Sequence, residues 1–268
     1  EVQHLLLASD DPGRRTWSRQ GPFRGRPIGL IPETDRRLLL IFEDGAAVRR
    51  PVMGGKEELL AAGDRRLKLA TALRLGGEFY AVDVGENEMR LLRLESGAWQ
   101  AAAPAYRIVG TPRVVRLAEW KQRPALFWRT DIGTRRESGL GLAWLDAGMW
   151  RPLPAPSHVC ADVYAVLGLA EGLFLAQEDG LPLGRTPRLL LSRLDDAGWS
   201  ESPVFSFPDP TQLQRGLGLA LAADGERLLL VRSATASVRV FLNPEGTGRR
   251  WEPAALLEQP EVSSLWFA

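Results

Sequence analysis

The chain has 268 residues, of which 45% are hydrophobic and 25% are charged, and its 34 basic and 33 acidic side chains leave a formal net charge of +1. These values are typical of a folded globular protein and exclude a disordered chain, and the near-neutral charge predicts that nucleic acid is not a partner. No window approaches 18 apolar residues, so the sequence predicts no transmembrane segment.

Short apolar runs bounded by Gly, Pro, Asp or Asn dominate the chain and predict β-strands. In chain order these runs are HLLLAS, RRLLLIF, EFYAVDV, MRLLRLE, PALFWRT, GLGLAWL, RLLLSRL, ERLLLVR and SVRVFL. The one predicted helix is short and begins at Lys56, in KEELLAAGDRR. The 19 prolines and 27 glycines are spread evenly along the chain, which indicates one domain with many tight connections.

One hairpin pattern recurs: an apolar run meets an acidic or amide residue, turns at glycine and restarts at tryptophan. It occurs in LESGAW, LDAGMW, LDDAGW and LNPEGTGRRW, which end at Trp99, Trp150, Trp199 and Trp251. The acidic or amide side chain bonds its own backbone, the glycine supplies a positive φ, and the tryptophan anchors the returning strand. The tryptophans are 51, 49 and 52 residues apart, the spacing of a four-stranded β-propeller blade.

We therefore expect an all-β chain folded as a single six-bladed β-propeller over residues 1–268. Hairpins near Trp17 and near Met53 supply the blades that precede Trp99. The predicted blades are approximately residues 24–65, 66–106, 107–157, 158–206 and 207–258, and a sixth from residues 1–23 with 259–268. Strands from both termini then share one blade and close the ring, which removes exposed sheet edges.

The N-terminal hairpin SDDPGRRTW resembles the Asp-box, the S-x-D-x-G-x-T-W hairpin of six-bladed sialidase-like propellers, with Arg14 and Arg15 in the place of one residue. LDDAGW and NPEGTGRRW resemble degenerate copies of it. In that family the Asp-box is a folding element, so the resemblance implies the fold and no substrate. The predicted structural hairpin residues are Ser9, Asp11, Gly13, Trp17, Trp99, Trp150, Trp199 and Trp251.

The same resemblance raises the question of sialidase chemistry. Sialidases bind the substrate carboxylate with three arginines and use a tyrosine nucleophile backed by a glutamate, with an aspartate as acid. The tyrosines available are Tyr80, Tyr106 and Tyr164, and the segment FRGRP loosely resembles the early arginine motif of the family. For Arg24 and Arg26 in that segment, a structural or solvated role is the better interpretation.

The sequence contains few residues that could support other catalytic chemistry. His4, His158 and Cys160 are the only histidines and cysteine, so no zinc cluster of nitrogen and sulfur ligands can form. Cys160, between Val159 and Ala161, is interpreted as a small buried hydrophobe. Neither a G-x-S-x-G elbow nor a dinucleotide-binding glycine motif occurs. Asp10 with Asp11, or Asp195 with Asp196, could hold a hard cation, and turn capping is the better interpretation of these carboxylates. The sequence therefore predicts no catalytic residue, no metal and no cofactor.

Turns between the second and third strands of four predicted blades carry carboxylates and are expected on one rim. This acidic face offers a docking surface for a cationic partner or paired carboxylates for glycoside hydrolysis, and ordinary solvated turns are the alternative. The binding residues predicted there are Asp44, Glu86, Glu88, Asp131, Glu178 and Asp179.

Two classes of function follow. The first is a non-enzymatic protein-interaction or scaffolding propeller, either an extracytoplasmic domain or an accessory subunit of a larger bacterial assembly. Only three of the 34 cations are lysines, which indicates a bacterial source. The start at Glu1 suggests a processed protein or an excised domain, and a periplasmic or extracellular location is favoured. The second is a glycan-binding protein or exo-glycosidase of sialidase type. Trp120 and Trp128 could then stack on sugar rings, with blade packing as the alternative.

Overall fold

The computed structural model describes residues 6–8, 18–20, 25–34, 37–51, 55–130, 140–156, 164–178, 188–206, 216–224, 227–234 and 237–258. In these residues every regular element is a β-strand, in agreement with the strands predicted from the short apolar runs. A search of the same residues finds no helix with the length and hydropathy needed to cross a bilayer.

The strands form six antiparallel sheets in the described residues. The first is the two-stranded sheet of β1 Leu6–Ala8 and β2 Ser18–Gln20. Blade 1 is β3 Pro27–Thr34, β4 Arg37–Phe42, β5 Ala47–Pro51 and β6 Glu58–Ala61. Blade 2 is β7 Leu69–Leu75, β8 Glu78–Val84, β9 Glu88–Glu95 and β10 Ala98–Ala101, with β11 Tyr106–Arg107 also on β9.

Three further blades follow in the chain. Blade 3 is β12 Pro112–Trp120, β13 Arg123–Thr130, β14 Leu140–Asp146 and β15 Met149–Pro152. Blade 4 is β16 Tyr164–Leu169, β17 Gly172–Glu178, β18 Arg188–Asp195 and β19 Gly198–Ser206. Blade 5 is β20 Gly216–Asp224, β21 Arg227–Ala234, β22 Ser237–Asn243 and β23 Glu252–Glu258.

The arrangement of the blades is that of a β-propeller. Within each blade the strands pair in chain order, and the first strands of successive blades contact one another in the order β3, β7, β12, β16, β20. The all-β propeller is thus confirmed, but the described residues show five blades rather than six. The count differs because the region predicted as the sixth blade contributes only the short β1–β2 sheet, and residues 259–268 lie outside the described residues.

The helix predicted from Lys56 is wrong. Residues Glu58–Ala61 form strand β6, which pairs with β5 through Leu59 and Val48. Arg49 of β5 also forms an ion pair with Glu58 at 2.8 Å. A helix shorter than about 12 residues is marginal on its own, so long-range pairing with an existing strand prevails over the local pattern.

The core lies between the blades, which explains why the strands read as continuous apolar runs. In β17, Leu173 and Leu175 pack in the cluster shared with blade 3, whereas Phe174 and Ala176 pack in the cluster shared with blade 5. Successive side chains of a strand point to opposite faces of its sheet. Both faces of such a strand are therefore buried, and most of its side chains are apolar.

The tryptophans of the repeated hairpin connect each blade to the one before it. In blades 2 to 4 the indole of this hairpin tryptophan donates a hydrogen bond from Nε1 to a backbone carbonyl of the preceding blade or of the segment that leaves it. The pairs are Trp99 with Gly45 at 2.7 Å, Trp150 with Pro104 at 2.9 Å and Trp199 with Pro154 at 2.7 Å. In blade 5, Trp251 instead donates to Gly248 of its own hairpin at 3.0 Å. Ser9, Asp11, Gly13 and Trp17 lie outside the described residues.

Replacing Trp150 by Ala is expected to lower the free energy of unfolding by about 2 to 3 kcal/mol, less than for a fully buried tryptophan. The indole is half-buried and meets the Tyr106 ring edge-on at 5.9 Å. Trp150→Phe keeps much of this packing and loses the bond to Pro104, so about 1 kcal/mol is expected. Denaturant unfolding measures both values. Exposed Met149 is the matched control, and equal stability of Trp150→Ala and Met149→Ala would contradict the role of the indole.

Candidate functional site

One rim of the propeller collects the starts of the first strands and the turns between the second and third strands, because strands alternate in direction within an antiparallel blade. We call it the upper rim. Backbone bonds join these segments: the Glu43 amide donates to the Arg26 carbonyl at 2.9 Å, and the Leu69 amide donates to the Glu43 carbonyl at 2.8 Å. The upper rims of blades 1 and 2 are thereby held as one surface.

The first strands are irregular where they reach the upper rim. Four of them slip register by one residue near their first pair with the second strand. The slips fall between Pro27 and Gly29, Leu69 and Thr71, Pro112 and Val114, and Gly216 and Gly218. A β-bulge bends the strand and re-aims its side chains, and bulges are frequent beside functional sites. The same irregularity in four blades makes the upper ends of the first strands the leading candidate site.

Near this end, residues from three blades come together as an axial cluster, defined as Arg26, Arg116, Arg129 and Tyr164. The Arg116 guanidinium lies over the Tyr164 ring, 5.8 Å from its centroid, and donates from Nη1 to the Val115 carbonyl at 3.0 Å. The Tyr164 hydroxyl donates to the Val114 carbonyl of blade 3 at 3.0 Å. Blades 3 and 4 thus fix the two central side chains, and Arg26 enters from blade 1.

The electrostatics of the cluster are those of a positive site. Burial raises the pKa of the Tyr164 phenol far above its ordinary value, although the charges of Arg116 and Arg129 oppose the shift. Burial also lowers the pKa of the Arg116 guanidinium, and the positive charge of Arg26 adds to that effect. Among the described residues, no carboxylate acts on either group. Tyr164 is therefore neutral, and Arg116 is a half-buried cation beside another cation.

This arrangement is suited to binding an anion. A cation taken partly out of water is costly unless an opposite charge or strong acceptors compensate it. A carboxylate placed between Arg116 and Arg26 would supply that charge and accept charge-assisted hydrogen bonds from the guanidinium groups. Within the described residues, no group of three or more His, Cys, Asp or Glu could hold a metal ion.

The predicted acidic residues of the upper rim are only partly described. Asp44 is exposed and accepts the Ala46 amide of its own turn at 3.1 Å, and Glu86 is also exposed. Glu88 is half-buried, with Arg90 at 3.8 Å. Glu178 ends β17, and Asp131 and Asp179 lie outside the described residues. Where it is described, the rim also carries Lys68, so its charge is mixed and a wholly acidic face stays a prediction.

Sequence reasoning missed Asp83, a carboxylate buried at this rim with 1% of its surface exposed. It forms an ion pair with Arg90 of the next strand and accepts the Lys68 amide at 2.8 Å. The signal was present, because an aspartate at the end of the apolar run EFYAVDV must find partners if that strand is buried on both faces.

The remaining candidates from the sequence do not join the axial cluster. Trp120 and Trp128 are buried, 6% and 8% exposed, and pack between blades rather than offering a face to sugars. Tyr106 packs on Trp128 with ring centroids 4.9 Å apart, and the Tyr80 hydroxyl donates to Glu78 at 2.7 Å. Arg24, His4, His158 and Cys160 lie outside the described residues.

Comparisons with known proteins support the β-propeller fold and do not identify a function. No protein-family model matches the chain, and no curated protein sequence matches it. Among solved structures, YjhT is similar with a TM-score of 0.56 and 9% identity, over 90% of this chain and 87% of that one. The luciferin-regenerating enzyme matches with a TM-score of 0.52 and 13% identity, over 89% of this chain and 78% of that one.

A sialidase is also among the structural matches. The NanB sialidase from Streptococcus pneumoniae aligns with a TM-score of 0.49 and 12% identity, over 87% of this chain and 38% of that one. That score is too low to support an argument about activity. At such identities a likeness shows architecture alone, because one fold hosts many functions. The chain is a β-propeller whose architecture is shared with these proteins.

Proposed function

We propose that the chain is a non-enzymatic interaction propeller that binds an anionic group of its partner at the axial cluster. The observation that carries this proposal is Arg116, a half-buried cation stacked on Tyr164 and close to a second arginine, with no described carboxylate acting on it. A protein partner with an exposed Asp or Glu side chain meets this requirement. Basic groups around that side chain could then face Asp44, Glu86 and Glu88 on the rim.

Binding without catalysis is favoured by the state of Tyr164. A tyrosine nucleophile needs a free hydroxyl and a pKa brought down toward neutrality. The Tyr164 hydroxyl is instead engaged with the Val114 carbonyl, and burial moves its pKa in the opposite direction. Arg116 and Arg26 can still hold a carboxylate in place while Tyr164 serves as a rigid platform.

An acidic carbohydrate is the alternative ligand, since a uronic or sialic acid presents the same carboxylate to the cluster. The specific observation in its favour is the stacked Arg116–Tyr164 pair, in which the guanidinium of Arg116 can offer a charged fork to one small ligand. The protein and sugar alternatives share the site and differ in the size of the surface buried around it.

Closure by a sixth blade is a further part of the proposal. In the described residues, β20 makes no contact with β3 comparable to those between other neighbouring first strands. A blade that combines β1 and β2 with a strand from residues 259–268 would occupy that position and leave no open sheet edge.

The proposal is tested by titrating the full chain with a glutamate-rich hexapeptide and with D-glucuronate, using isothermal calorimetry at low salt. We expect one of these probes to bind, and Arg116→Gln to weaken that binding by about tenfold or more, because charge-assisted bonds are lost. Binding should also weaken as salt is raised. The matched control is Arg250→Gln, whose side chain is 71% exposed and should leave affinity unchanged.

Two results would overturn the proposal. One is the absence of heat with both anionic probes, whether or not D-glucose, the neutral counterpart, binds elsewhere. The other is equal loss of affinity in Arg116→Gln and Arg250→Gln, which would indicate nonspecific attraction to arginine. A preference for the peptide over glucuronate supports the protein partner, and the reverse supports the acidic sugar.

A further inference from the structure

A second concave site lies away from the axis, between blades 4 and 5. It is a groove of about 330 Å³ formed by β18 and β19 on one side and by the β22–β23 hairpin on the other. The polar side chains that line it and that matter here are Arg193, Asp195, Glu201, Ser202, Thr247 and Arg249. The volume lies within the range of sites for small molecules, which is roughly 300 to 1,000 Å³.

The hairpin wall of the groove is held rigidly by one buried amide. Asn243, fully buried at the end of β22, accepts the Gly248 amide at Oδ1 at 3.2 Å and donates from Nδ2 to the Arg250 carbonyl. Gly248 has a φ of +74°, and a Cβ there would lie 2.6 Å from Leu191 of blade 4. This wall is therefore preformed, and a ligand would not have to order it.

The opposite wall is also fixed before any ligand arrives. The Arg193 guanidinium lies over the Phe174 ring at 5.8 Å and donates from Nη2 to the Glu171 carbonyl at 2.7 Å. Asp195 lies 3.9 Å from Arg193 and accepts the Ala197 amide of its turn at 2.9 Å. The charged groups of this wall are thus oriented by their neighbours.

The charge and chemistry of the groove select a class of ligand. The charges of two arginines and two carboxylates cancel in the groove, so a ligand with a net charge gains little electrostatic energy by binding there. Donors, acceptors and hydroxyls line the groove, and the half-buried Trp199 supplies an apolar surface among them. Vicinal hydroxyl groups on a ring with an apolar face match this mixture. We propose that the groove binds a neutral pyranose unit, independently of the axial cluster.

The test is a titration of the isotope-labelled full chain with methyl α-D-glucopyranoside and methyl β-D-galactopyranoside, followed by amide chemical shifts. One glycoside should shift the amides of Gly198, Ser200 and Gly248. Combining Glu201→Gln with Arg249→Ala should weaken that response by about tenfold, because both side chains are exposed and offer charge-assisted bonds. Glu245→Gln, on the same hairpin but outside the groove, should leave it unchanged.

The outcomes separate this site from the axial one. Persistence of the groove shifts in Arg116→Gln supports two independent sites, and their loss there would overturn the inference. It would equally be overturned if neither glycoside moved these amides, or if the double variant responded like the native chain. Shifts produced only by D-glucuronate or D-glucosamine would identify an ion site in place of a pyranose site and would also overturn it.

Discussion

Gly168→Ala is expected to lower the free energy of unfolding by about 3 kcal/mol or more, at or beyond the upper end for overpacked positions. Gly168 lies in β16, the first strand of blade 4, and a Cβ there would overlap the backbone carbonyl of Glu119 in β12. Because that obstacle is main chain in a paired strand, no rotamer change can relieve the overlap. The two first strands would have to separate near the propeller axis.

Two other glycines calibrate this effect. At Gly29 a Cβ would meet the Ala72 methyl group at 2.9 Å, also between neighbouring first strands, and a smaller loss of about 1 to 2 kcal/mol is expected. At Gly85 the nearest obstacle is the Glu88 side chain at 3.1 Å, which can move, so Gly85→Ala is the control. Thermal and denaturant unfolding rank the three variants. A midpoint for Gly168→Ala equal to that of Gly85→Ala would show that the blades do not meet there.

The sequence predicts those features of the fold that repeat locally. The strands expected in the runs EFYAVDV and MRLLRLE correspond to β8 and β9. Each is specified by its own alternation and turn, as at Ser96 and Gly97, which have positive φ values of 48° and 85°. The periodic hairpins then indicate the propeller, because a repeated four-stranded unit must stack to bury its faces.

The axial cluster could not be predicted in this way. Arg26, Arg116 and Tyr164 come from three blades and are separated by dozens of residues, so no local spacing joins them. In the run VVRLAEW, the alternation of apolar and polar residues predicts that Arg116 faces solvent. In the structure Tyr164 of the neighbouring blade packs against it. The error at Lys56 has the same cause, since pairing of Glu58–Ala61 with β5 is a long-range contact. Local patterns specify blades, and contacts between distant segments create the sites.

Asp83→Ala is expected to lower the free energy of unfolding by about 3 kcal/mol, the lower end for breaking a buried ion pair, because its partner reaches solvent. The Asp83 side chain is 2% exposed and that of Arg90 is 48% exposed. The substitution also leaves the Lys68 amide without its acceptor at the point where blade 2 begins. Loss of this bond should loosen the upper rim beside blade 1, where Leu69 is bonded to Glu43.

Asp83→Asn separates the two contributions of the carboxylate. It retains an acceptor for the Lys68 amide and removes the charge, so about 1 to 2 kcal/mol is expected from the lost charge-assisted bond to Arg90. The control is Glu88→Gln, which removes a more exposed carboxylate 3.8 Å from the same arginine and should change stability by less than about 0.5 kcal/mol. Equal effects of Asp83→Ala and Glu88→Gln on denaturant unfolding would mean that Asp83 is solvated. A large loss of stability for Asp83→Ala alone would show that the Asp83 carboxylate holds the start of blade 2 in place. It would then also support the upper rim beside the axial cluster.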